Sequence, residues 1–337
     1  MSMCKIRLKS TPKPMKTPTT LIFRRPFAGL LFASLFAAVP VSAATFYWDS
    51  TSPFNAEGFG DAQGTWAQNS TSNGGRWTTS ATGTIFGNAS QVHDQDDIYN
   101  FGTASNGLGS GSITVNGSVL IGNTNFGSAS GAITLNGGTL NFGDARTITV
   151  NNTINTINSD IAGASTSLTK AGDGTLVFGG ISTHAGATLV SAGTLLVNGA
   201  LGNSTVSIAA DATLGGTGTI AGDISFAAGS SMTVDISNPL TTTGTVTFGS
   251  GFGIANLFGI DWDLLDLDTP YTVLSTTQSF SASDIDNFGI TNAASVGSSG
   301  REAYFETGSL QVIVIPEPTT ALLGGIGLLF LMRRRRA

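Results

Sequence analysis

Between residues 45 and 315 the apolar residues seldom run together; they alternate. Ile113 and Val115, Ile133 and Leu135, Ile148 and Val150, and Val234 and Ile236 each stand two apart across one polar residue. That spacing puts each pair on one face of an extended strand and the intervening residue on the other, which predicts strands with one buried side. The background is Gly, Thr, Ser, Asn and Ala, with no stretch of the three-to-four spacing of an amphipathic helix, so the whole span reads as β structure. Ile, Val, Leu and Phe recur too regularly for a disordered chain.

The strand pattern itself repeats. Gly111-Ser-Ile-Thr-Val-Asn-Gly117 followed by Val119-Leu120 matches Gly131-Ala-Ile-Thr-Leu-Asn-Gly137 followed by Thr139-Leu140 at an offset of 20 residues. Looser echoes follow at 147–151, 175–179, 193–199, 205–209, 218–226, 232–236 and 245–248. Two architectures use such a pattern. Asn116-Gly117 and Asn136-Gly137 are strong hairpin signals that suit antiparallel meanders in a sandwich. A right-handed parallel β-helix, or β-solenoid, explains a fixed period better, because each coil repeats one perimeter and stacks its inward residues on those below. Residues 105–250 would then hold about seven coils at ~4.8 Å spacing. Residues 44–104, with Trp48, Trp66 and Trp77, read as an N-terminal cap whose aromatics cover the unpaired edge of the first coil. Residues 251–315 lose the period and read as a C-terminal β cap.

Both ends of the chain carry targeting patterns. Lys5, Arg7, Lys9, Lys13, Lys16, Arg24 and Arg25 precede the apolar run Phe27 to Val39, broken by Ser34 alone. Residues 1–43 therefore read as a signal peptide, with signal peptidase cutting after Ala43 or, as the alternative, after Ala44. The run is short of the ~20 residues that span a bilayer, which argues against a permanent anchor. Met1 and Met15 both stand as candidate starts. At the other end Pro316-Glu317-Pro318 leads into the apolar stretch Thr319 to Met332 and then Arg333, Arg334, Arg335 and Arg336. The prolines stop the preceding strand, the apolar stretch seeks lipid, and the arginines halt translocation, which predicts a short transmembrane helix suited to a temporary anchor. Over residues 316–337 this order resembles the PEP-CTERM sorting signal of Gram-negative bacteria. The resemblance implies recognition by exosortase, a membrane-embedded cysteine protease, removal of the tail, and delivery to the cell envelope, outer surface or extracellular matrix.

A second resemblance lies within the repeats. Leu168-Thr-Lys-Ala-Gly-Asp-Gly-Thr-Leu-Val-Phe-Gly-Gly180, with Ala192-Gly-Thr-Leu-Leu-Val-Asn-Gly199, is similar to the autotransporter-associated β-strand repeat of large secreted β-helix proteins. It departs from that pattern at Ser182-Thr-His184, where the family carries an Asn and an aromatic. Autotransporters also end in a transmembrane barrel, and no ~10-residue alternating lipid-facing strands precede the tail here.

Charge narrows the partners. Residues 45–315 keep four basic residues, Arg76, Arg146, Lys170 and Arg301, against twenty acidic ones, a net charge of −16. Such a passenger repels phosphate polymers, which excludes nucleic acid as a partner. The one cysteine, Cys4, lies in the presequence, so no disulfide is expected in the mature chain.

Candidate chemistry is thin. His93-Asp-Gln-Asp-Asp97 has no second histidine nearer than His184, and Asp261, Asp263, Asp266 and Asp268 lack the Gly and Glu of an EF-hand loop. Gly215-Gly-Thr-Gly218 lacks the Asp of a calcium-binding β-roll. No metal site and no cofactor is expected. Glycosidic cleavage needs two opposed carboxyl groups, but of Asp144, Asp160, Asp173, Asp211, Asp223 and Asp235 half, Asp144, Asp173 and Asp223, sit beside Gly in turn contexts. No catalytic residue is assigned and no enzyme is expected. Trp48, Trp66 and Trp77 are the candidate glycan contacts, because an exposed indole can stack on a sugar ring; core capping is the rival role. The sequence thus reads as a non-enzymatic exported structural or adhesive protein, with a polysaccharide-binding or polysaccharide-degrading β-helix as the alternative.

Overall fold

The computed structural model describes residues 43–51, 58–68, 76–83, 95–163, 167–306 and 310–316. The signal-peptide residues before Ala43, His93, Glu317, Pro318 and Arg333 to Arg336 lie outside them. Among the described residues no helix is long and apolar enough to cross a membrane.

The alternating strands wind into a parallel β-solenoid with three sheets. Sheet I stacks Thr45–Asp49, Ile98–Phe101, Asn123–Phe126, Arg146–Val150, Leu168–Ala171, Thr188–Val190, Val206–Ile208, Ile224–Phe226 and Val246–Phe248 in parallel, with Arg76–Thr78 added antiparallel to Thr45–Asp49 at its outer edge. Sheet II stacks Thr65–Ala67, Gly111–Asn116, Ile133–Asn136, Ile154–Ile157, Thr175–Phe178, Thr194–Val197, Thr213–Gly215, Ser231–Thr233 and Leu257–Phe258. Sheet III stacks seven strands from Ser118–Ile121 to Thr241–Thr242. From Ile98–Phe101 onward the chain visits I, II and III in turn, so consecutive solenoid strands never pair and each ladder joins one coil to the coil above or below.

Asn116-Gly117 and Asn136-Gly137 therefore make corners, not hairpins. Gly117 and Gly137 both sit at φ 71°, a left-handed conformation that glycine adopts without strain and that turns the chain from sheet II into sheet III.

The fixed 20-residue period does not hold. Following the inward row of sheet I from Tyr99 through Thr124, Ile148, Lys170, Val190, Ile208 and Phe226 to Phe248, the coils take 25, 24, 22, 20, 18, 18 and 22 residues. Gly111 faces Ile133 and Ile113 faces Leu135, an offset of 22. In sheet III Val119 faces Leu140, an offset of 21 that buries Val119 and leaves Leu120 half-exposed. Slips of two residues in sheet II keep each side chain on its face, and odd slips are absorbed at corners.

The core is a set of inward rows. Leu176, Leu195, Leu214, Met232 and Leu257 stack through sheet II, and all five are buried. Each such side chain contributes about 1.5–3 kcal/mol through burial.

Both ends are closed. Trp48, Trp66, Trp77, Tyr99 and Phe101 form an aromatic cluster under the first coils, with Trp66–Trp77 and Trp48–Trp77 centroids 5.0 and 5.2 Å apart at steep angles. At the far end Phe226, Phe248, Phe252 and Phe280 pack together. The Gln278 amide donates to the Val246 carbonyl at 2.9 Å and accepts its N–H at 2.7 Å, standing in for a missing next strand. A separate four-stranded antiparallel sheet follows, in the order Pro270–Thr272, Gln311–Pro316, Arg301–Phe305, Ala294–Val296.

Candidate functional site

The three tryptophans are core residues. Trp48 and Trp66 are each 1% exposed and Trp77 is 7% exposed, so no indole face is open to a sugar ring. Trp48 Nε1 donates to the Gln63 carbonyl at 3.1 Å, a partner that fixes the ring under the first coil.

Two buried ionisable side chains stand out: Lys170 at an inward strand position, where the alternation calls for an apolar residue, and His184 in the corner between Ile181–Ser182 and Thr188–Val190. Lys170 faces Ile148 on one side and Val190 on the other. Its Nζ donates to the carbonyls of Ala171, Gly172 and Ala192 at 3.2, 2.7 and 2.9 Å, tying the corner of one coil to the next. Burial pushes this ammonium down to about 8, with Asp173 opposing the shift, so it stays protonated at neutral pH. The glycines beneath it are required: Gly172 and Gly193 have φ of 77° and 63°, and a Cβ on Gly193 would meet the Gly172 carbonyl at 2.5 Å.

His184, wholly buried, lies in a line of hydroxyls. Ser204 Oγ donates to the Gly186 carbonyl at 2.6 Å, so it accepts from Thr188, 2.8 Å away. Thr188 accepts from His184 Nε2 at 2.8 Å, and His184 Nδ1 accepts from Ser182 Oγ. That order assigns the neutral Nε2–H tautomer. Burial pushes the imidazole down to about 4. Ser182 and His184 thus touch, but inside the coil, with no path for a substrate. Sequence reading singled out Ser182-Thr-His184 only as a departure from a repeat; the structure joins it to Thr188, four residues on, and through Thr188 to Ser204 in the next coil.

Several acidic residues are spent on nearby turns and strand ends. Asp263 accepts from the N–H and hydroxyl groups of Ser298 and Ser299, which hold its carboxyl well below the usual range, and Arg301 Nη1 donates to the Trp262 and Leu265 carbonyls. The Asp261–Asp268 stretch is therefore clamped to the 297–301 turn. Asp223 accepts from Thr245 N–H and Oγ1 at 2.7 and 2.6 Å, which lowers its pKa, and Asp160 accepts from Ile181 N–H at 2.9 Å. Among the described residues no group of three or more His, Cys, Asp or Glu could hold a metal ion. A cavity of 430 Å³ in the C-terminal region is lined by Ile285, Asp286, Asn287, Phe288 and Asn292. The Asn287 amide there is already bonded to Ile254 N–H and the Asn292 carbonyl.

Of the processing residues, Ala43 is exposed and Ala44 half-buried just before the first strand of sheet I, and Pro316 is the exposed last residue of Gln311–Pro316. That strand runs between Pro270–Thr272 and Arg301–Phe305 as an inner member of its sheet.

Residues 168–197 match the passenger-associated-transport-repeat and residues 314–336 match the PEP-CTERM protein-sorting motif. The first covers Lys170 and His184 and spans strands in all three sheets. Over 199 residues, 57% of this chain, the sequence is 34% identical to the adhesin BmaC autotransporter of Brucella suis biovar 1 (strain 1330). The match spans 5% of that protein's length. No solved structure matches the chain. The protein is thus a β-solenoid that carries a passenger-associated transport repeat among its coils and a PEP-CTERM sorting motif across the end of its last strand.

Proposed function

We propose that this is a non-enzymatic surface or extracellular-matrix protein of a Gram-negative bacterium, adhesive or structural, exported with a signal peptide and sorted by an exosortase-type system. The observation that carries the reading is the join at residue 316: a capped solenoid is followed by a four-stranded antiparallel sheet, and the inner strand of that sheet, Gln311–Pro316, runs directly into the sorting motif matched at 314–336. The winding is right-handed, as chirality favours for parallel crossovers. Signal peptidase removes residues 1–43, the short apolar stretch 319–332 holds the chain briefly in the inner membrane, and exosortase releases it at the tail. Likeness to part of an adhesin supports the adhesive role. Lys170 and His184, the groups best suited to chemistry, are consumed inside the coils, which supports a binding rather than a catalytic role.

One observation favours polysaccharide as what it adheres to. No strand of sheet II contains a charged residue, although residues 45–315 carry −16. Its outward side presents Ile154, Thr175, Thr194, Thr213 and Ser231 in one register row. Methyls and hydroxyls repeating at ~4.8 Å on a flat, uncharged face suit an uncharged glycan better than an ionic one. Cells displaying the protein should adhere to amorphous cellulose or a related neutral β-glucan, and a double Thr194→Lys, Thr213→Lys variant should lose most of that adhesion at equal display. Absence of any adhesion by the wild-type cells would overturn the adhesive reading. Adhesion that survives the double variant would overturn this face.

A further inference from the structure

Sequence leaves two cleavage positions open at the N-terminus, because Ala43 and Ala44 both follow a small residue at the site a signal peptidase reads. The fold treats the two differently. Ala44 N donates to Asp97 Oδ1 at 3.0 Å, and the Ala44 carbonyl accepts the Ile98 N–H at 2.8 Å. Pairing with Ile98–Phe101 begins at the next residue, with Thr45 opposite Ile98. Asp97 is only 5% exposed, and its neighbour Asp96 is engaged by Arg146 at 2.8 Å. Ala43, by contrast, is exposed. Ala44 is thus the first of the described residues whose backbone is held on both sides, and the group that holds its nitrogen is a buried carboxylate.

We infer that the mature chain begins at Ala44 and that Asp97 is the built receptor for its new α-ammonium group. The inference rests on the proposed export with a cleaved leader. Hydrolysis adds water across the Ala43–Ala44 peptide bond, so Ala43 leaves as a carboxylate and the Ala44 nitrogen becomes an ammonium. The amide–carboxylate bond at Asp97 then becomes an ammonium–carboxylate ion pair, with opposite charges in contact at a buried position. Cutting one residue later removes the Ala44 donor from Asp97 and the acceptor for the Ile98 N–H, so the first ladder loses its opening bonds at the edge of the first coil. The peptidase reads an unfolded chain and accepts either bond; the folded chain completes its first ladder with only one of them.

N-terminal sequencing with intact mass of the protein recovered from exporting cells should give Ala44 as the first residue. A start at Thr45 would overturn the inference while leaving export intact, whereas recovery of the surface protein with its leader attached would overturn the export reading beneath it. Asp97→Asn keeps the side chain's shape and its capacity to accept from an amide but removes the charge. It should lower the thermal midpoint of the chain beginning at Ala44 by several degrees and that of the uncleaved chain, made without export, by much less. Equal losses in the two forms would show that Asp97 serves only a backbone amide and would overturn its role as receptor.

Discussion

Protonating His184 inside its coil means placing a charge on a buried ring whose two nitrogens are bonded to the Ser182 and Thr188 hydroxyls, already ordered to suit the neutral form. The Ser182 hydroxyl that donates to Nδ1 would have to reverse. The folded pKa of about 4 lies below the ordinary 6.5, so the folded state binds fewer protons than the unfolded one. The stabilising difference is therefore fully present above pH 6.5 and is lost progressively as pH falls toward 4, by about 3 kcal/mol in all. Chemical denaturation of wild type and His184→Gln at pH 7.5 and pH 4.5 should show the wild type losing more stability between the two; equal losses would place the acid sensitivity elsewhere. Sequence reading could see that His184 broke a repeat, but not that the break was filled. A histidine in a Gly-rich stretch looks solvated until Thr188 and Ser204, one of them a coil away, are brought to it. Lys170 was more legible, since it occupies the inward place held by Ile148 in the coil before, yet alternation marks the place and says nothing of the three carbonyls that satisfy the ammonium.

Strand faces were read from the sequence with more success than strand partners. Period-two alternation fixed which side chains of 113–115, 133–135 and 148–150 point inward, and all six of the apolar ones are buried. Register was not recoverable in the same way. The similarity of 111–120 to 131–140 suggests an offset of 20, while the chain pairs them at 22 and 21, because corner lengths are set by how loops turn and leave no periodic signature. The buried tryptophans follow from the same logic: three large rings close an end that otherwise exposes unpaired backbone, and a cap needs them inside. Because each coil rests only on its neighbours, damage should spread by layers. Ile133→Asp buries a carboxylate between Asn155 and Gly111 in sheet II and should cost several kcal/mol, about the penalty of an unpaired buried charge after relaxation. Hydrogen exchange should then accelerate first in 111–157 while Val206–Ile208 and Ile224–Phe226 keep their protection. A uniform acceleration throughout the solenoid would show that the coils melt as one unit.

At the scale of the whole chain, the C-terminal sorting motif was the most legible feature in sequence, because such a signal is a linear pattern that needs no partner from elsewhere in the fold. Changing Arg333 to Arg336 to Ser removes the charges that stop translocation, and the short apolar stretch should slip through or stay unprocessed. Changing Pro316-Glu317-Pro318 to Ala should leave the anchor but abolish recognition, giving a membrane-retained precursor about two kilodaltons heavier than the mature form, since some twenty mostly small residues remain attached. Membrane fractionation with intact mass distinguishes the two. Wild-type protein recovered from the cell surface with Arg333 to Ala337 still attached would show the tail to be a permanent anchor. Where that tail joins the fold has a mechanical consequence. Gln311–Pro316 is an inner strand flanked by antiparallel neighbours on both sides. Ladder bonds run perpendicular to a strand, so tension entering at residue 316 along its direction strains the bonds to both neighbours together, in shear. The coils, joined one to the next along their stacking axis, would instead part in sequence. Any tether made beyond residue 316 therefore pulls first on the part of the protein best arranged to resist it.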